Sequence, residues 1–271
     1  MEKVIYTVLT GGYDRLEQPE CVDPSFDYVC FTDRDGQEGV WQLRKIPYEG
    51  TAVLRARWAK LHPHLLLPEY PVSVFMDANL CITGPAFYEE LGKAQKEPFL
   101  RLAASSGTPE GAFSPVFAPF AVLEHPERDC VWEELRYCYL KDKVGTRTAV
   151  RWYRALKRMG MPRHAGLAET NILLRAHNAP EVVAADEAWW TLLLASGGTR
   201  DQLCLTPALF QTGLRPWLLL GSGHCSRNVP YIRYTLHPAT GRENVPGRLN
   251  WANVKYNLRL LWRKAVLPWL K

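Results

Sequence analysis

The sequence predicts an α/β fold built on one central sheet, and three observations carry that reading. Short β-branched and aromatic runs at residues 4–9, 26–31, 41–46 and 72–76 alternate with longer stretches of helical periodicity. The runs end on small or polar groups: Thr10-Gly11-Gly12, Thr32-Asp33 and Asp77-Ala78-Asn79. In open α/β sheets, ligands bind outside the carboxyl ends of the strands. Finally, 271 residues at 47% hydrophobic and 23% charged content are enough for one large domain with a real core.

The first strand breaks at a glycine pair, which lets the backbone approach a ligand closely. The second ends on Asp33, a carboxylate placed to meet a ribose or base, or to cap the following turn. Residues 51–67 read as one helix, with Leu54, Trp58, Leu61 and Leu65 at helical spacing and Arg55, Arg57 and Lys60 adding positive charge. That helix leads into the strand from Val72, apolar through Met76. Asp77 and Asn79 at its tip are hard oxygen donors of the kind that hold Mg²⁺ or Mn²⁺ on a phosphate. The same pair also suits a simple Asx-type turn.

Further on, residues 85–94 read as a helix and 105–119 as an ordered loop rich in Ser, Gly and Pro. A helical stretch opens at Glu124 and runs through Trp132, Leu135 and Tyr139. A basic helix follows over 147–161. Residues 172–174 form a short buried strand with Glu169, Thr170 and Asn171 at its entrance. A helix spans 185–195, and Asp201 and Gln202 stand where a loop becomes the next helix, a position that also suits a first-turn acid. A strand-like run at 216–220 breaks into a glycine loop carrying His224, a candidate metal ligand. Residues 250–271 read as a basic amphipathic helix, with Trp251, Leu258 and Trp262 among Lys255, Arg259 and Arg263. Such a helix can lie on an anionic bilayer or pack on its own domain. The expected organisation is one domain over 1–247 and an accessory tail over 248–271.

Bulk properties narrow the class. The net charge of +5 suits an anionic ligand without indicating nucleic acid. Seven cysteines, with no C-x-x-C pair, argue against a disulfide framework or a zinc site and for reduced thiols. No signal peptide and no membrane-spanning apolar run is read, so the expectation is a cytoplasmic protein that meets a membrane only peripherally, on its inner face.

The order of motifs is informative as a set. Thr-Gly-Gly-Tyr-Asp (Thr10 to Asp14) comes first, then Phe-Asp-Tyr-Val-Cys-Phe-Thr-Asp (Phe26 to Asp33). An Arg-x-Arg-x-x-Lys helix with His-Pro-His follows, and after it Val-Phe-Met-Asp-Ala-Asn. Glu-His-Pro-Glu-Arg, Glu-Thr-Asn-Ile-Leu-Leu-Arg-Ala-His-Asn, Trp-Trp and Arg-Asp-Gln-Leu complete the series. Over roughly residues 3–210 this resembles the glycosyltransferase-like family of the plant mucilage and turgor-regulation proteins, which also occurs in bacterial surface-polysaccharide loci. The resemblance implies a GT-A fold, Rossmann-like, with a mixed central sheet flanked by helices. It also implies a nucleotide-diphosphate sugar as donor, a divalent cation, Mn²⁺ or Mg²⁺, and a glycan or lipid-linked acceptor. On that pattern Thr10, Gly11, Gly12, Tyr13 and Asp33 hold the nucleoside, and Arg57 and Lys60 approach the pyrophosphate or base. Asp77 and Asn79 occupy the Asp-x-Asp metal positions, with Asn79 replacing the second carboxylate.

The second half is similar in layout to glycogenin-like retaining transferases, in which Asn171, Asp201, Gln202 and His224 fall in the order of a donor-binding Asn, an Asp-Gln pair and a metal-binding His. Inversion would need a carboxylate base, Glu169 or Asp201. Retention would leave Asp201 and Gln202 to position the donor sugar. Two alternatives stay open on sequence: a non-catalytic sugar-binding or scaffold protein, and a metal-dependent hydrolase or nucleotidyltransferase.

Overall fold

The structure, a computed structural model, describes residues 3–12, 15–93, 119–198 and 200–235. Its elements in chain order are β1 (Lys3–Val8), β2 (Phe26–Thr32), β3 (Gly36–Glu38), β4 (Trp41–Lys45), α1 (Ala52–Leu61), α2 (Pro63–Leu66), β5 (Val72–Met76), β6 (Leu80–Ile82) and α3 (Ala86–Gly92). They continue with β7 (Phe120–Glu124), α4 (Val131–Leu140), α5 (Thr146–Arg158), β8 (Ala168–Arg175), α6 (Pro180–Ala195), α7 (Gln202–Thr212), β9 (Trp217–Leu218) and β10 (Ile232–Tyr234).

Eight strands form one mixed sheet in the order β3-β4-β2-β1-β5-β8-β7-β9. β1 pairs in parallel with β2 and β5, β2 with β4, and β7 with β9. β3 and β8 run antiparallel to their neighbours. A short antiparallel pair, β10 with β6, stands apart. Both faces of the sheet are covered, as parallel strands require. Val4 and Tyr6 of β1 enter a core built with α1 and α4 to α7, while Ile5 enters a second core with β6, α3 and Ile232. The expected α/β class with a single mixed central sheet flanked by helices is what is observed. Among the described residues, no helix is long and apolar enough to cross a membrane.

Local departures from the sequence reading have physical causes. The helix expected over 51–67 is two helices, because Pro63 has no N–H and its ring clashes with the preceding turn; it opens α2 instead. Likewise Pro180 opens α6 five residues earlier than expected, at a first-turn position where Pro is tolerated. β7 was missed, since helix was expected from Glu124. Phe120 to Leu123 are wholly buried on both faces, so no period-two alternation marks the strand. Glu169, Thr170 and Asn171 do not precede β8 but lie inside it, and all three are buried. Tyr13, most of the 105–119 loop, the boundary at 247/248 and the 250–271 helix lie outside the described residues.

This topology brings the carboxyl ends of β1, β2, β5 and β7 to one edge of the sheet, with the start of antiparallel β8 between β5 and β7.

Candidate functional site

The site is built around α1. Its first turn is capped by Thr51, whose hydroxyl accepts from the Leu54 N–H at 3.3 Å. The loop after β1 rests on that end: Thr10 Oγ1 donates to the Ala52 carbonyl at 2.8 Å. Gly11 and Gly12 both adopt positive φ, +66° and +64°. A Cβ on Gly11 would come within 3.0 Å of the Ala52 Cβ, so the close approach of loop and helix requires glycine there. The Gly11 N–H donates to Asp33 Oδ2 at 2.9 Å, and Arg55 Nη1 lies 2.7 Å from Asp33 Oδ1. Asp33 thus joins the tips of β1 and β2 to the basic helix.

Two turns of α1 lie over the next strand tip. Lys60 is buried, with its ammonium 2.6 Å from Asp201 Oδ2 and 4.0 Å from Asp77 Oδ1. It also sits 4.6 Å over the Phe75 ring. Arg57 Nη1 reaches the same Asp201 oxygen at 3.2 Å, and Thr170 Oγ1 donates to it at 3.4 Å. Asp201 holds the N-cap position of α7, but its side chain makes no capping bond and is turned to Arg57 and Lys60 instead. Its carbonyl accepts from Trp189 Nε1 at 2.8 Å, which fixes the turn. Burial alone would raise the Asp201 pKa, but Arg57 and Lys60, with the Lys60 hydrogen bond, hold it well below the usual carboxylate range. Gln202 follows as the first residue of α7 and is partly buried.

A second group adjoins on β8. The Asp77 N–H donates to the Asn171 carbonyl at 2.9 Å, tying the tip of β5 to β8. Asn171 Nδ2 donates to Ser226 Oγ at 2.6 Å, while its Oδ1 is buried without a partner. Glu169 accepts from Ser226 Oγ at 3.1 Å and pairs with Arg227 at 3.0 Å. Burial pushes the Glu169 carboxyl up, and Arg227, Ser226 and Asn171 offset that only in part. The two candidate bases thus have opposite environments. Arg57 and Lys60 hold Asp201 toward its charged form, which weakens it as a base, whereas burial of Glu169 acts in the opposite direction.

The three expected metal ligands are not gathered. The Asp77 side chain is 41% exposed and faces the site. Asn79 is buried, with Nδ2 donating to the Thr235 carbonyl at 2.9 Å, so its amide stitches the β5 turn to the segment after β10. His224 is exposed, with Nδ1 3.2 Å from the Ser222 carbonyl. It lines an open cavity of about 370 Å³ with Glu124, His125, Arg128 and Asp129. Among the described residues, no three His, Cys, Asp or Glu side chains form a metal-holding group. One exposed carboxylate at a strand tip fits a cation that arrives with a diphosphate, since Mg²⁺ is commonly held by one or two carboxylates plus substrate phosphates. It does not fit a cation held by the protein alone.

Sequence reasoning missed Arg55 as the partner of Asp33, Thr170 as a partner of Asp201, and Ser226 and Arg227 as the holders of Glu169. Arg55 was legible: it lies one turn after the Thr51 cap, at the end of α1 nearest the glycine pair. Ser226 and Arg227 carried no local signal, because their role depends on a loop closing across β8.

No family model matches the sequence, and no curated protein matches it either. The resemblance to the plant mucilage and turgor-regulation family therefore rests on the motifs alone. Among solved structures, the WbbM bifunctional glycosyltransferase is similar over 77% of this chain and 36% of that one, at 9% identity and a TM-score of 0.36. Mouse xyloside xylosyltransferase 1 is similar over 79% of this chain and 82% of that one, at 10% identity and a TM-score of 0.39.

Proposed function

We propose that this protein is a GT-A-type glycosyltransferase that moves a sugar from a nucleotide-diphosphate donor to a glycan or lipid-linked acceptor in surface polysaccharide synthesis. The observation that carries the proposal is the cluster at one sheet edge. The Gly11–Gly12 loop, Asp33, Arg57, Lys60, Asp77 and Asp201 converge where α/β sheets bind ligands, although they come from five separate segments.

In this reading the glycine loop and Asp33 receive the nucleoside. Asp77 would hold the Mn²⁺ or Mg²⁺ that comes with the diphosphate, and that ion stabilises negative charge on the leaving nucleotide. Arg57 and Lys60 add fixed positive charge at the same place without reorganisation. Asp201 orients both cations and, with Gln202, positions the donor sugar. Glu169 is the candidate to accept the acceptor's proton if the reaction inverts; retention needs no such base. Glu124 stands opposite Ala168, one residue from Glu169 along β8, so we assign the adjoining 370 Å³ cavity to the acceptor. We also propose that the basic 248–271 tail helps to hold the enzyme against the inner face of a membrane.

Calorimetric titration with a panel of nucleotide sugars tests the reading. Mn²⁺ alone should give no binding heat. One donor should bind in the presence of Mn²⁺, and Asp77→Ala should weaken that binding at least about tenfold, which is about 1.4 kcal/mol. Failure of every nucleotide sugar to bind would overturn the proposal. Binding without turnover would instead favour the non-catalytic sugar-binding alternative, which the engagement of Asn79 with Thr235 supports.

A further inference from the structure

The α4–α5 hairpin carries a feature that sugar transfer does not use. Residues 141–163 hold eight Lys and Arg and one acid, Asp142, for a net +7. The whole chain is only +5, so the remainder is net negative. α5 itself contains no carboxylate. Its buried side is Ala149, Trp152 and Leu156, packed in the main core. Arg147, Arg151, Arg154 and Arg158 are all exposed. At about 100° per residue these four fall within an arc of about 60°, centred opposite the buried side, and they span about 16 Å of helix. Lys157 flanks them, exposed as well.

Like charges at this spacing repel one another, so the stripe weakens the helix unless something anionic lies against it. It is a straight row along the exposed face of one helix, and the cavity lined by Glu124 and His224 does not reach it. One more observation concerns its border. Arg151 Nη1 donates to the Ala195 carbonyl at 3.1 Å, which brings the stripe to the end of α6. There Leu194 is 47% exposed, one of only a few large apolar side chains so exposed among the described residues. A flat row of cations beside a protruding leucine complements a plane of anionic headgroups over hydrocarbon.

We propose that the exposed face of α5 docks this protein on an anionic phospholipid bilayer, as a membrane-contact surface separate from the C-terminal tail and from the sugar-transfer site. Basic side chains near an anionic surface act additively within a Debye length, so the attachment is salt-sensitive.

The test is co-sedimentation of the full-length chain with vesicles of phosphatidylcholine containing 30% phosphatidylglycerol, and with pure phosphatidylcholine vesicles. The comparison protein carries Arg147→Gln, Arg154→Gln, Lys157→Gln and Arg158→Gln. Arg151 is left in place because it caps α6. Thermal unfolding and nucleotide-sugar binding serve as controls: the unfolding temperature should not fall, since relief of like-charge repulsion can only raise it, and donor binding should not change, since none of the four residues belongs to the site. The wild type should pellet with the anionic vesicles only. The variant's vesicle affinity should fall about a thousandfold, at about 1 kcal/mol for each of the four cations removed, and about 0.5 M NaCl should release the wild type. Equal pelleting of wild type and variant would overturn the proposal and leave any attachment to the tail. So would tighter binding of the wild type to a single-stranded RNA oligonucleotide than to the anionic vesicles.

Discussion

Asp201→Ala should lower the unfolding free energy by about 3–5 kcal/mol in urea denaturation, the range for leaving one member of a buried ion pair uncompensated. Lys60 is the residue left behind. Its side chain is 2% exposed, and Asp201 is its closest anion; Asp77 lies farther off, at 4.0 Å, and is partly solvated. Asp201→Asn keeps the shape and one acceptor, so it should cost less. The pH dependence has a definite sign. The folded-state pKa of Asp201 is depressed, so its contribution is complete above the unfolded value of about 3.9 and is lost as pH falls below that. The stability gap between wild type and Asp201→Asn should therefore narrow below about pH 4. A loss under about 1 kcal/mol for Asp201→Ala would show that the Lys60 ammonium reaches water once its partner is gone.

Asp186→Ala should be about as damaging, about 3–5 kcal/mol, for a related reason deeper in the core. Arg175 on β8 and Asp186 on α6 are both fully buried, and Arg175 Nη1 meets the two carboxylate oxygens at 2.9 and 3.0 Å. Arg175 Nη2 donates to the Tyr6 hydroxyl and, at 2.8 Å, to the Lys60 carbonyl. The Tyr6 hydroxyl donates to that same carbonyl at 2.8 Å. The network therefore pins the last turn of α1, and with it the backbone of Lys60. Replacing both charges, as Arg175→Met with Asp186→Leu, should recover most of the lost stability, because an apolar pair carries no desolvation cost. Donor affinity should stay reduced in that double variant, since the Lys60 carbonyl loses its Arg175 donor. If affinity recovers along with stability, the network is structural and does not position Lys60.

How much of this was legible in the sequence depended on whether a feature was local. The strands at 4–9, 26–31 and 72–76 declared themselves by composition, and the polar groups at their tips lie together at the carboxyl edge of the sheet. Lys60 and Asp201 were both candidates, yet nothing in the chain says that they touch: 141 residues separate them. Their contact depends on α7 starting beneath α1, which follows from the tertiary packing. β7 was hidden because full burial removes alternation, and the helix break at Pro63 was masked by a leucine repeat that continues across it. Asn79 shows the opposite limit. Its place beside Asp77 suggested a ligand, but a carbonyl 156 residues away takes its amide.

The central claim is that a nucleoside diphosphate binds between the glycine loop, α1 and the tip of β5. Its most direct test is a crystal structure of the wild type with UDP or GDP and Mn²⁺, read by anomalous scattering from the metal. The expected result is a manganese peak against the Asp77 carboxylate, with the diphosphate toward Arg57 and Lys60 and the nucleoside over Gly11 and Asp33. A nucleotide seated elsewhere, for example in the cavity lined by Glu124 and His224, would contradict it.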